Sequence, residues 1–150
     1  MSTEVRTTAP MPPSRPADLI GRGLMALDAL AAFATSISGI PTILDVADDR
    51  VIVEGWRDFG ILLCAGLWAL IALRPRHSPG IWELLLIQKG AMVAWAVAHR
   101  GAAESHASAL VDLTLVVTTA IAYVLCRGWY GWYGFDVRAR VRREEEQRTG

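Results

Sequence analysis

Four apolar stretches, each long enough to cross a bilayer, constrain this chain more than any other feature of its sequence. A hydrocarbon core about 30 Å thick takes about 20 helical residues. Stretches of that kind fall at 19–40, 57–73, 81–99 and 108–127. The chain is 150 residues long, 53% hydrophobic and 20% charged, too apolar for a soluble domain unless the apolar residues cluster as they do here. The fold expected is all-α: a polytopic membrane protein with four transmembrane helices in an antiparallel bundle, because short joints place consecutive helices side by side.

The joints carry recognisable breakers. Pro10, Pro12, Pro13 and Pro16 cannot extend the first helix backwards, and Pro41 is expected to stop it at its far end. Between spans two and three runs Arg74-Pro75-Arg76-His77-Ser78-Pro79-Gly80, and Arg100 to His106 joins three to four. The first loop, 41–56, carries Asp45, Asp48, Asp49 and Glu54, and its 46–53 region reads as a short strand or interfacial turn. The organisation expected is a disordered leader over 1–18, a membrane domain over 19–134 and a charged tail over 135–150. Trp129, Tyr130, Trp132 and Tyr133 read as an interfacial aromatic belt.

Basic residues set the expected orientation, since Lys and Arg in short loops stay cytoplasmic. The leader and start of span one (Arg6, Arg15, Arg22), the second turn (Arg74, Arg76) and the tail (Arg127, Arg138, Arg140, Arg142, Arg143, Arg148) hold most of them. The first and third loops hold Arg50, Arg57 and Arg100. This asymmetry places both termini in the cytoplasm of a plasma-membrane protein. Ala32-Phe33-Ala34 has the form of a signal-peptide cleavage site, but Asp28 interrupts the apolar region and the run continues to Ile40. The 15 basic and 15 acidic residues form no concentrated basic surface, which sets nucleic-acid binding aside.

Charges inside the spans are the candidate functional groups, because an intramembrane ionisable residue is expensive and marks function by default. Asp28 and Lys89 both lie roughly 12–14 Å from the inner end at 1.5 Å per residue, and are expected to face each other. Gly21, Asp28, Ala32, Thr35 and Gly39 form a stripe of small and polar residues on one helical face, the kind that lines a bundle interior. Gln88 stands beside Lys89. A second polar group comprises Glu54, Arg57, Asp58, His99, Arg100, His106 and Asp112, from which Thr119 and Tyr123 lead inward along span four. Arg22 and Glu83 form a third expected pair. Asp28, Lys89, Asp58 and Asp112 are thus the acid–base candidates, and Arg57, Gln88, His99, Thr35, Thr119 and Tyr123 the ligand-binding ones. A purely structural ion pair that sets helix register competes with the functional reading.

Cys64 and Cys126 lie at depths roughly 13 Å apart, beyond disulfide reach, and no Cys-x-x-Cys is present. His99, His106 and Asp112 have no diagnostic metal spacing, so neither a metal nor a cofactor is expected. No phosphate loop, zinc-protease pair or nucleophile elbow is found.

The segment Glu54-Gly55-Trp56-Arg57-Asp58-Phe59-Gly60-Ile61-Leu62-Leu63 resembles the entry into the second helix of the DoxX-like and SURF4-like group of small four-helix membrane proteins. That resemblance implies a four-helix bundle, and a small membrane subunit associated with oxidoreductases and quinone chemistry, with Arg57 and Asp58 the positions carried over. Small multidrug transporters also place an acid in the first of four helices, although Lys89 and the charge bias depart from them. The expectation is a membrane subunit or lipophilic-ligand-binding protein, in contact with the lipid bilayer, a lipophilic small molecule and a membrane or redox partner. The alternatives are a membrane-embedded acid–base enzyme acting on an isoprenoid or polyketide, and a proton-coupled transporter.

Overall fold

A computed structural model describes residues 13–133 and residue 147. The charged tail over 135–150, residue 147 apart, and the first twelve residues of the leader lie outside the described residues. Four helices follow in chain order: α1 (Arg15–Asp45), α2 (Val51–Leu73), α3 (Ile81–Ala98) and α4 (Ser105–Cys126). All four are long and apolar enough to cross a membrane.

Two helix boundaries differ from the expectation. Helix α1 begins at Arg15, with Pro16 in its first turn where the missing amide costs nothing and Asp18 next to the helix's positive end. It then continues through Pro41 for a further turn to Asp45. Proline within a membrane helix is tolerated where neighbouring helices and local backbone adjustment compensate the lost bond. Helix α2 starts at Val51, so the first loop contracts to residues 46–50 and the expected strand or turn over 46–53 gives way to helix. Glu54 and Arg57, expected in the loop and at its edge, become the first turns of α2.

The other turns are built on backbone geometry. Gly80 precedes α3 with φ 88°, a left-handed conformation that glycine adopts without a Cβ penalty. Trp82 donates its indole N–H to Pro75 O at 2.8 Å, tying α3 to the turn it leaves. Arg127 closes α4 in the left-handed region, its N–H returning to Tyr123 O and Val124 O. Residues 130–133 form a further helical turn, where Trp129, Tyr130 and Tyr133 stack edge to face and Trp132 donates to Glu83 Oε1 at 3.0 Å.

The helices form a ring in chain order. Helix α1 packs on α2 and on α4, and α3 packs on α4, while α2 and α3 scarcely meet. Helices α1 and α3 are diagonal and share no packing. At one end, Arg22 donates to Ala72 O (2.7 Å) and Leu73 O (3.3 Å), Arg76 bonds Asp18 and Cys126 O, and Cys126 Sγ meets Asp18 O. This ties the start of α1 to the ends of α2 and α4. We call it the arginine end.

The distribution of side chains suits lipid. Large apolar residues such as Leu27, Leu30, Phe33, Leu63, Ile87 and Leu110 face outward on every helix. Inside lie Trp68, Trp82, Met25, Ile71 and Leu85 among alanines, together with Asp28, Ser36, Asp58, Asp112 and Thr119. In hydrocarbon the association of helices rests on close packing of small residues and on interhelical hydrogen bonds. Gly21 marks one such approach: a Cβ there would stand 2.6 Å from Cys126 Sγ.

Candidate functional site

Each buried aspartate is held from a neighbouring helix. Lys89 Nζ donates to Asp112 Oδ1 at 2.9 Å, joining α3 to α4. Thr118 Oγ1 donates to Asp28 Oδ2 at 2.7 Å, joining α4 to α1. Ser36 Oγ donates to Asp58 Oδ2 at 2.9 Å, joining α1 to α2. The three links fall on the three packed seams. Across the fourth, α2–α3, the side-chain links are weaker: the Cys64 thiol to Gln88 Oε1 at 3.9 Å and Lys89 Nζ over the Trp68 ring at 5.7 Å.

That fourth seam opens on a cavity of about 550 Å³. Helix α2 contributes Trp56, Arg57, Cys64 and Trp68, α3 contributes Gln88, Lys89 and Met92, and α4 contributes Ser108, Asp112 and Leu115, with Ala32 of α1 at the back. Its volume lies in the range of small-molecule sites, which are mostly apolar with a few placed polar groups. Here the polar groups are the Lys89–Asp112 pair, the Gln88 amide, the Ser108 hydroxyl and the Arg57 guanidinium, with Glu104 on the wall. Trp68 forms the floor. Its indole N–H donates to Thr119 Oγ1 at 3.0 Å across the diagonal of the ring, and its face lies 5.7 Å from Lys89 Nζ. The ammonium is thus fixed by a carboxylate on one side and a π face on the other.

Two expected pairings are corrected. Asp28 does not face Lys89: Asp28 meets Thr118 and Lys89 meets Asp112, six residues apart on α4, and the two stand on diagonal helices that do not pack together. Arg22 does not face Glu83 either. Arg22 is taken by backbone carbonyls of α2 and approaches Asp18 at 3.9 Å, while Glu83 accepts from Tyr123 Oη (2.8 Å) and Trp132 Nε1.

The remaining candidates separate by position. Arg57 and Gln88 line the cavity with Lys89 and Asp112. Arg57 also pairs with Glu54 at 2.8 Å, which Arg50 engages at 2.7 Å. Asp58 faces α1, where a Cβ on Gly39 would come within 2.5 Å of its Oδ1. Thr119 lies behind Trp68. Thr35 lies on the outer side of α1, returning its hydroxyl to Ala31 O, because the buried arc passes through Met25, Ala29, Ala32 and Ser36. His99 is exposed and stacked on Trp95, and Tyr123 sits at the arginine end.

Sequence reasoning missed Thr118, Ser36 and Trp68. Thr118 was legible in principle: it lies six positions after Asp112, which turns it about a third of a circle around α4 and towards α1. Trp68 sits in an apolar run where nothing distinguishes a floor from a lipid-facing ring. His99, His106 and Asp112 do not gather, and no cluster of three metal-ligating side chains occurs among the described residues. Cys64 and Cys126 are separate free thiols. Comparison with known protein families, curated proteins and solved structures gives no match for this chain.

Proposed function

We propose that this chain is a membrane-embedded binding protein for a lipophilic small molecule with a polar head, working as a small subunit beside a redox or biosynthetic partner in the plasma membrane. The observation that carries this reading is the cavity at the α2–α3 seam, walled by apolar and aromatic side chains and holding the Lys89–Asp112 pair. A head group carrying both an acceptor and a donor matches an ammonium and a carboxylate held side by side. The apolar body would lie along Met92, Leu115 and Trp56. The arginine asymmetry supports cytoplasmic termini, and the resemblance of the segment around Arg57 and Asp58 to the DoxX-like group supports a subunit role.

The test is mass spectrometry of lipophilic species that co-purify with the protein in mild detergent. The reading expects one species retained by the wild type and lost from Lys89→Met and from Gln88→Leu, with both variants still folded. Retention of the same species by both variants refutes it.

The second reading is an acid–base enzyme, favoured by one observation: the Lys89–Asp112 pair borders a space large enough for a substrate. A positioned acid or base typically contributes 10²–10⁴-fold. Under this reading the co-purified species is converted on prolonged incubation with the wild type and stays intact with Asp112→Asn.

A further inference from the structure

A second cleft, of about 310 Å³, lies at the arginine end, shares no lining residue with the Lys89 cavity, and is bordered by Arg22, Leu73, Arg74, Pro75, Arg76 and His77. Its guanidinium groups are held to different degrees. Arg22 is fixed by Ala72 O and Leu73 O, Arg76 by Asp18 and Cys126 O, and the exposed Arg74 side chain has no partner among the described residues. Asp18 is the carboxylate that meets both Arg22 and Arg76, so one acid stands against the three guanidinium groups that line the cleft, which carries excess positive charge. Two oriented arginines and a free one beside a histidine make a site for a phosphate, whose oxygens take the forked donors of arginine.

Depth identifies the source of that phosphate. The cleft sits where α2 ends, at the level where a membrane-spanning helix meets the headgroups. The aromatic turn stands at the same end: a Cβ on Gly131 would lie 3.5 Å from Arg76 O, and Trp132 and Tyr133 are exposed beside it. Aromatic rings of this kind settle at the headgroup level. Leu73 forms the lip of the cleft and is 70% exposed, so an acyl chain has an apolar surface directly below the basic groups.

We propose that this cleft binds the phosphate of an anionic phospholipid, seating the headgroup between Arg22, Arg74 and Arg76 with an acyl chain against Leu73. The inference rests on the membrane reading and is independent of what occupies the Lys89 cavity.

The experiment is native mass spectrometry of the full chain in mild detergent, titrated separately with phosphatidylglycerol, phosphatidylcholine and inorganic phosphate. The wild type is expected to retain phosphatidylglycerol in preference to phosphatidylcholine. Arg74→Gln, which removes a side chain with no bond to lose, should weaken that retention roughly fivefold, the effect of one surface arginine on an anionic lipid. Arg100→Gln, at an exposed arginine in the α3–α4 turn that lines neither cavity, should retain the lipid as the wild type does. Arginines of the tail are present in every protein compared, so the difference reads the cleft. The proposal is overturned if Arg74→Gln retains phosphatidylglycerol unchanged, if phosphatidylcholine is held equally well, if Arg100→Gln loses the lipid as Arg74→Gln does, or if inorganic phosphate displaces it at equal concentration, which would make free phosphate the occupant.

Discussion

Lys89 Nζ lies 2.9 Å from Asp112 Oδ1 across the α3–α4 seam, with the two side chains only 12% and 10% exposed. Placing either charge alone at a helix centre costs on the order of 2.5–3.5 kcal/mol. The pair therefore does two things at once: it neutralises two intramembrane charges, and it closes one seam of the ring while lining the cavity beside it. Asp28 and Asp58 close the other two packed seams through hydroxyl groups. With three seams fastened, the cavity lies at the α2–α3 side.

Removing one member of the ion pair should cost more than removing both. Lys89→Met leaves Asp112 without its cation, and breaking a buried pair in this way costs about 3–5 kcal/mol. The double variant Lys89→Met, Asp112→Leu removes both charges and should recover most of that loss. Denaturant titration in detergent, arranged as a double-mutant cycle, gives the coupling. Additive losses would show that the two side chains do not interact.

Asp28→Asn and Asp112→Asn should differ sharply. In Asp28→Asn the amide oxygen still accepts the Thr118 hydroxyl proton, so the cost expected is within about 0.5–1.5 kcal/mol, the net value of an ordinary hydrogen bond. Asp112→Asn leaves Lys89 with a neutral partner and should cost more. Thermal unfolding of the two variants under one set of conditions checks this. The reverse ranking would return Lys89 to Asp28.

These two aspartates also show how far the sequence could be read. Span length and charge asymmetry depend on composition along the chain, so four membrane helices and most of the cavity's polar groups were legible from it. Spacing also gives an expected height, since each helical residue rises about 1.5 Å. Which helices stand next to each other was not legible. Spacing gave Asp28 and Lys89 one expected depth, but they occupy diagonal corners, and one-dimensional spacing carries no information about corners. Pro41 misled for a related reason: its rule as a helix stop comes from water, where no neighbouring helix compensates for the missing amide.

Close approach of α1 to its neighbours should be sensitive to single carbon atoms. Gly21→Val would drive its side chain into Cys126 Sγ and the backbone of α4 at Ala122. Overpacking of this kind costs about 1–3 kcal/mol. Gly39→Ala would press on Asp58 and separate it from Ser36. By contrast Gly23→Ala and Gly66→Ala, with open space around the added carbon, should be neutral or slightly stabilising. Unfolding midpoints of the four variants test the order, and equal effects at Gly21 and Gly23 would contradict the packing described.

Trp68 offers the sharpest separation of fold from binding. Trp68→Phe keeps an aromatic floor beneath Lys89 and loses the indole bond to Thr119, which should cost about 0.5–1.5 kcal/mol. Trp68→Ala removes a fully buried ring from the cavity wall, with a loss of about 3–5 kcal/mol and a larger cavity. If the cavity holds the co-purified molecule, the Phe variant should retain the wild-type species. The Ala variant, where it still folds, should shift to a bulkier species or lose selectivity among those offered. Mass spectrometry of the bound fraction reads this, with unfolding curves run on the same samples to separate lost binding from lost structure. An unchanged bound species in a folded Trp68→Ala protein would place the ligand elsewhere and remove the cavity from the functional account.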